Sequence, residues 1–126
     1  MKVKVLLVDD TRTLLSLIQV YLMGWDMEFV EARDGKQGLE QARLHKPALI
    51  ISDVRMPGMD GFELCAAVRA DPALHGTPIV LLTSLNDDAS RRKGRLVGAS
   101  AFLTKPVSVD ELRKTVGEIL KLPTRR

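Results

Sequence analysis

One cysteine is all that the 126 residues contain, so no disulfide can form within the chain. Cys65 fits a reducing compartment, and its expected role is helix packing rather than thiol chemistry. No apolar run is long enough to cross a bilayer. The opening residues, Met1 to Val8, read as a strand interrupted by lysines and carry no signal-peptide pattern, so a cytoplasmic location is expected. Repeats, low-complexity tracts and interdomain linkers are missing as well. Neither sign of charge dominates: the formal net charge of +3 is too mild to argue for nucleic acid. What is left is the composition of a soluble globular protein, 45% hydrophobic and 28% charged, long enough to fill one hydrophobic core. Residues 1–122 are expected to form that domain and residues 123–126 a short C-terminal tail, with no second domain.

Five short apolar runs are present, each followed by a helical pattern. The strands are predicted near Val3–Val8, Met27–Glu31, Ala48–Ser52, Pro78–Thr83 and Ala101–Thr104. The runs around Ile50 and Val80 hardly alternate, as expected of strands covered on both faces. Helices are predicted over about Thr11–Met23, Gly35–Leu44, after Gly61, over Asp88–Val97 and after Ser108. Leu14, Leu15, Ile18 and Leu22 share a face of the first helix, and Phe62, Cys65 and Val68 lie on the third. Val109, Leu112, Val116, Ile119 and Leu120 make a core-facing stripe on the fifth. Ser108 is its expected N-cap, with Glu111 as capping-box partner, and Asp60 the expected cap of the third helix. Strict strand–helix alternation means an α/β fold with a parallel sheet, and right-handed crossovers leave few topologies. Ligands of such sheets bind at the carboxyl ends of the strands, near a topological switch point.

Three aspartates end two of these runs. Val5-Leu6-Leu7-Val8 leads into Asp9-Asp10, and Ala48-Leu49-Ile50-Ile51-Ser52 leads into Asp53. Neighbouring parallel strands would bring the carboxylates together at one edge of the sheet. Clustered carboxylates repel and each tends to stay protonated. A hard divalent cation relieves that cost, and an all-oxygen set suits Mg²⁺. Two further strand ends add Thr83-Ser84 and Lys105-Pro106. Taken singly, each has an ordinary reading. Asp9-Asp10 could cap a helix beside Thr11, Asp53 could be a loop residue, Thr83 a strand-end hydroxyl and Lys105 a solvated lysine.

Taken jointly, the pattern resembles the receiver domain of two-component response regulators, the single-domain chemotaxis type above all. Its markers are Val8-Asp9-Asp10, Asp53 followed by Met56-Pro57-Gly58-Met59-Asp60-Gly61, Thr83-Ser84 and Lys105-Pro106, and the resemblance covers the whole chain. It implies a flavodoxin-like (βα)5 fold with strand order 2-1-3-4-5 and helices on both faces. It also implies that Asp53 is the phosphoacceptor, a carboxylate nucleophile forming an aspartyl phosphate with Mg²⁺. Asp10, Asp53 and the main-chain carbonyl of Arg55 would hold the metal, with Asp9 acting mostly through water. Thr83 would bind a phosphoryl oxygen, and Lys105 would pair first with Asp53 and then with the phosphoryl group. Ser84 leaves room for that group, and the Lys105–Pro106 peptide would be cis. Thr83 and Phe102 would form the switch, with Phe where chemotaxis-type receivers often carry Tyr. The readout surface would be the fourth helix, fifth strand and fifth helix. Arg55 and Leu85 would flank the hydrolytic water, and the apolar Leu85 predicts slow self-dephosphorylation.

The partners implied are a histidine kinase or phosphotransfer protein and a downstream protein target, with no nucleic acid or membrane contact and a phosphorylation-dependent dimer open. Such a module switches itself rather than turning over a substrate. Three other readings compete. A receiver fold that no longer switches would be a constitutive interaction module, and Phe102 leaves room for it. A receiver cut from a longer DNA-binding or hybrid-kinase protein would look the same. An aspartyl phosphatase would need a general acid beside the nucleophile, where Val54 and Arg55 stand. The run Arg91, Arg92, Lys93 and Arg95 reads as a solvated helix face, or more sharply as a dock for an acidic partner. His45 and His75 lack the setting of a phosphohistidine. Trp25 is expected at the sheet end opposite the acids, where its fluorescence would report Mg²⁺ poorly.

Overall fold

The computed structural model describes residues 2–84 and 87–122. Strands β1 (Val3–Val8), β2 (Met27–Ala32), β3 (Leu49–Asp53), β4 (Ile79–Thr83) and β5 (Ala101–Thr104) alternate with helices α1 (Arg12–Tyr21), α2 (Gly35–His45), α3 (Gly61–Ala70), α4 (Asp88–Leu96) and α5 (Val109–Leu120). All strand pairs are parallel, in the order β2-β1-β3-β4-β5. This is the doubly wound sheet that the alternation and the resemblance imply. The expected tail, residues 123–126, lies outside the described residues. Among the described residues no helix is long and apolar enough to cross a membrane.

Side-chain alternation along the strands feeds two cores. Leu6, Val8, Ile50, Ile79 and Leu81 pack with Ala42 of α2 and with Leu64, Cys65 and Val68 of α3. Val5, Leu7, Leu49, Ile51, Val80 and Leu82 point the other way, onto Leu15 and Ile18 of α1 and Leu112 and Val116 of α5. Every residue of β3 and β4 is buried, which explains why those two runs do not alternate in polarity.

Several boundaries differ from the sequence expectation, for local reasons. Thr11 keeps an extended backbone as N-cap, so α1 begins at Arg12; it ends at Tyr21, ahead of a turn at Gly24 with φ 106°. β3 starts at Leu49 and includes Asp53, which pairs with Leu82, while Val54 N–H donates to the Leu82 carbonyl at 3.0 Å. β4 starts after Pro78, which has no N–H to give. Val109, at the first position of α5, is 40% exposed, so the buried stripe begins at Leu112. Ser108 caps α5 through the Glu111 N–H at 3.0 Å. The full reciprocal capping box forms on α3 instead, where Glu63 N–H donates to Asp60 at 2.8 Å and Asp60 N–H to Glu63 at 2.9 Å.

Two arginines tie neighbouring helices. Arg113 of α5 donates to the carbonyls of Tyr21 and Met23, at 3.0 and 2.7 Å, and lies 4.2 Å from the centre of the Trp25 ring. Arg69 of α3 donates to the carbonyls of Gly98, Thr77 and His75, and the Cys65 thiol donates to the Val97 carbonyl at 3.2 Å. Both α3 contacts hold the C-terminal end of α4. Trp25 precedes β2, away from the acids, as expected.

Candidate functional site

The register fixes the site. Val8 of β1 pairs with Ser52 of β3, so the next residues on these adjacent strands are Asp9 and Asp53. β1 and β3 flank the point where the strand order reverses, since β2 lies on one side of β1 and the later strands on the other. One carboxylate oxygen from each of Asp9, Asp10 and Asp53 lies within 4.8 Å of the others. Asp9 is 2% exposed and Asp53 7%, while Asp10 is open to solvent.

Asp53 Oδ1 accepts from Lys105 Nζ at 2.8 Å and from Val54 N–H at 3.0 Å. Lys105 is delivered by β5: its N–H donates to the Thr83 carbonyl at 2.7 Å, and its peptide to Pro106 is cis. Thr83 ends β4 one residue beyond the Leu82 that pairs with Asp53, and it is 1% exposed. Asp9 Oδ1 accepts from Thr11 N–H at 2.7 Å, while Asp9 Oδ2 is buried with no hydrogen-bond partner among the described residues. Burial pushes the Asp9 carboxyl up to about 6, helped by the charge of Asp53 and opposed by the Thr11 N–H and Lys105. An orphaned carboxylate oxygen facing two further carboxylates fits a hard divalent cation. The donor set present therefore suits Mg²⁺, with only Lys105 pairing the cluster among the described cations.

The remaining predicted residues spread outward from this centre. Arg55 is exposed and lines a cleft of about 660 Å³ with Asp10, Met56, Phe62 and Lys93. Ser84 is exposed on the other side, beside Lys105 and Pro106 at an apolar groove of about 460 Å³ against α1. Leu85 lies outside the described residues. Phe102 is half-buried on β5, facing α3 and α4 rather than the acids.

Sequence reasoning missed the contacts of Arg33 and Phe62. Arg33 donates to the Asp10 carbonyl at 3.1 Å and steadies the turn after β1. Gly61, already among the sequence markers, touches the backbone of Asp53 so closely that a Cβ there would stand 2.4 Å from the Asp53 carbonyl oxygen. Phe62 stacks on Phe102 with ring centres 6.3 Å apart. The Asp60-x-x-Glu63 spacing is a legible signal for the cap; the Arg33 and Phe62 contacts join distant segments and leave no local sequence signal.

Comparison with known proteins agrees with this geometry. Residues 5–117 match the family described as the response regulator receiver domain. Response regulator PleD of Caulobacter vibrioides is 39% identical over 85% of this chain, which spans only 24% of PleD. Protein PilG of Pseudomonas aeruginosa is 33% identical over 86% of this chain and 81% of its own length. Among solved structures, the chemotaxis response regulator CheY4 of Vibrio cholerae superposes with a TM-score of 0.86 at 35% identity, covering 94% of this chain and 99% of that one. An orphaned acid, a paired aspartate and a strand-end lysine thus sit within a matched span of 113 positions, and this chain belongs to the response regulator receiver domain family of two-component systems.

Proposed function

We propose that the chain is a phosphorylation-switched receiver that takes a phosphoryl group onto Asp53 from a histidine kinase or phosphotransfer protein. The observation that carries this reading is the setting of Asp53: buried, joined to Lys105 Nζ at 2.8 Å, and within 4.8 Å of Asp9 and Asp10. A free Asp53 oxygen attacks phosphorus in line. The P–O bond forms as the bond from phosphorus to the donor imidazole breaks, and the imidazole takes its electron pair and a proton from water. Lys105 passes from Asp53 to the phosphoryl oxygens, and the Thr83 hydroxyl donates to one of them. Asp10, Asp53 and the Arg55 carbonyl would hold Mg²⁺, with Asp9 acting mostly through water. When bound, the metal supplies charge neutralisation for the transferring group. The apolar groove beside Lys105, with Leu14, Leu17, Tyr21 and Val107 in its wall, offers the donor a surface next to the acceptor.

The output surface is α4, β5 and α5, biased through Thr83 and Phe102. Residues 1–122 act as one unit in the cytoplasm, and the apolar Leu85 makes the phosphoryl group long-lived. Replacing Leu85→Glu is expected to speed loss of the adduct; an unchanged decay would count against a role for that position. A second reading has its own support: the chain spans 24% of PleD, so the same module can sit inside a longer regulator.

The test is intact mass after incubation with acetyl phosphate, with and without Mg²⁺, on wild type and Asp53→Ala. A Mg²⁺-dependent phosphoryl adduct on wild type alone supports the reading. An adduct that persists in Asp53→Ala would move the acceptor elsewhere.

A further inference from the structure

Phe62 belongs to no marker of the family resemblance, yet it occupies the junction between the phosphoacceptor and α4. Its neighbour Gly61 donates its N–H to the Val54 carbonyl at 2.8 Å. A Cβ on Gly61 would stand 2.4 Å from the Asp53 carbonyl oxygen and 2.8 Å from Val54 Cα. The start of α3 therefore rests directly on the backbone that carries Asp53. One residue on, Phe62 is 5% exposed and lies nearly parallel to Phe102, at 14° with ring centres 6.3 Å apart. That is an offset stack of the kind aromatic pairs favour.

Helix α4 closes over the pair. Lys93 Nζ stands 4.9 Å from the centre of the Phe62 ring, and the Arg91 guanidinium 5.8 Å from that of Phe102. Arg91 also donates to Thr104 Oγ1 at 3.3 Å. Directly after Lys93 comes Gly94, where a Cβ would stand 2.9 Å from Phe102 Cδ1. The backbone of α4 thus leans on Phe102 with no side chain between them, and Gly94 is the buried residue of that helix.

We propose that Phe62 is a positioning residue of the switch, a second relay that carries the state of Asp53 through Gly61 to the Phe62–Phe102 stack and on to α4. This rests on the phosphorylation reading above. It adds a route through the loop after β3 to the one through Thr83. Any rotation of Phe102 breaks or remakes its stack on Phe62, and Lys93 senses the change through the ring beneath it. Spatial contact does not by itself establish coupling, so the relay has to be read as a response.

The experiment follows hydrogen–deuterium exchange of Asp88–Leu96 before and after acetyl phosphate with Mg²⁺, on wild type, Phe62→Leu, Phe102→Leu and the double variant. Intact mass confirms the adduct, and thermal melting confirms the fold. Phe62→Leu is expected to take the adduct normally while the phosphorylation-dependent change in α4 shrinks roughly twofold to tenfold, the range set by an aromatic pair. Adding Phe102→Leu is expected to reduce it little further, as the rings act as one element. Should Phe62→Leu fold poorly, the exposed Lys93 takes over: Lys93→Met is expected to weaken the response and Lys93→Arg to keep it. A full α4 response in modified Phe62→Leu or Lys93→Met, or independent effects of the two ring substitutions, overturns the relay alone. An unmodified wild type overturns the phosphorylation reading, and the relay with it.

Discussion

Helices α5 and α4 flank the last strand from opposite faces of the sheet and are held in opposite ways. α5 buries Leu112, Val116 and Gly117, and Arg113 fastens it to the end of α1. α4 buries Gly94 and keeps its place through cations over rings and through the grip of α3 on its C-terminal end. One helix is fixed by apolar area, the other by a few directional contacts. A helix with little buried apolar surface opens and shifts at low cost, which is what a readout element needs. The same protein thus pairs a wall packed through apolar area with one held by a few directional contacts.

The comparison breaks most visibly at Leu112, which is fully buried. Leu112→Ala is expected to destabilise by about 2–5 kcal/mol in urea unfolding. A loss below ~1 kcal/mol would place α5 with α4 rather than against it. Next in size comes Asp9, at the end of β1. Its folded pKa of about 6 lies above the ordinary 3.8, so its contribution to metal-free stability is fully present below the lower value and is lost as pH rises through the upper one. A two-unit rise corresponds to roughly 3 kcal/mol. Asp9→Asn is expected to flatten the fall in metal-free stability between about pH 4 and 6 and to raise stability at pH 7. In wild type, added Mg²⁺ is expected to stabilise above that window and not below it; a Mg²⁺ effect that persists at pH 4 contradicts the assignment.

Arg113→Ala follows, at about 1–2 kcal/mol, because two carbonyls lose a charged donor and Trp25 loses its cation. Tryptophan emission is the readout, and a spectrum identical to wild type would show that the ring does not sense α5. Smallest is Leu96→Ala on α4, 79% exposed, where stability is expected to stay within ~0.5 kcal/mol. A larger loss would mean that α4 is packed after all.

The sheet was legible because each of its residues obeys a local rule. Val, Ile and Leu crowd the strands, the runs of β3 and β4 lack alternation because both faces are covered, and acids stand where β1 and β3 stop. The acidic centre followed from strand adjacency, and Lys105 on Asp53 from the motif order. What escaped was pairwise and distant. Arg91 and Lys93 read as part of a charge run, yet each covers an aromatic ring, while Arg92 and Arg95 stay exposed as expected. Arg69 and Arg113 give no sign of their contacts in the sequence, because a main-chain carbonyl leaves no trace there as their acceptor. The Phe62–Phe102 stack spans 40 residues and four elements, so no window of local pattern contains it.

The lone cysteine turns the contrast between the two helices into a clock. Cys65 is fully buried, its thiol donates to the Val97 carbonyl at the end of α4, and burial pushes its pKa above the ordinary 9.0. Only an opened molecule presents a thiolate to an alkylating reagent. With no other sulfhydryl in the chain, each alkylated molecule records one opening of the core around Cys65, and the rate of labelling becomes a count of such events in time.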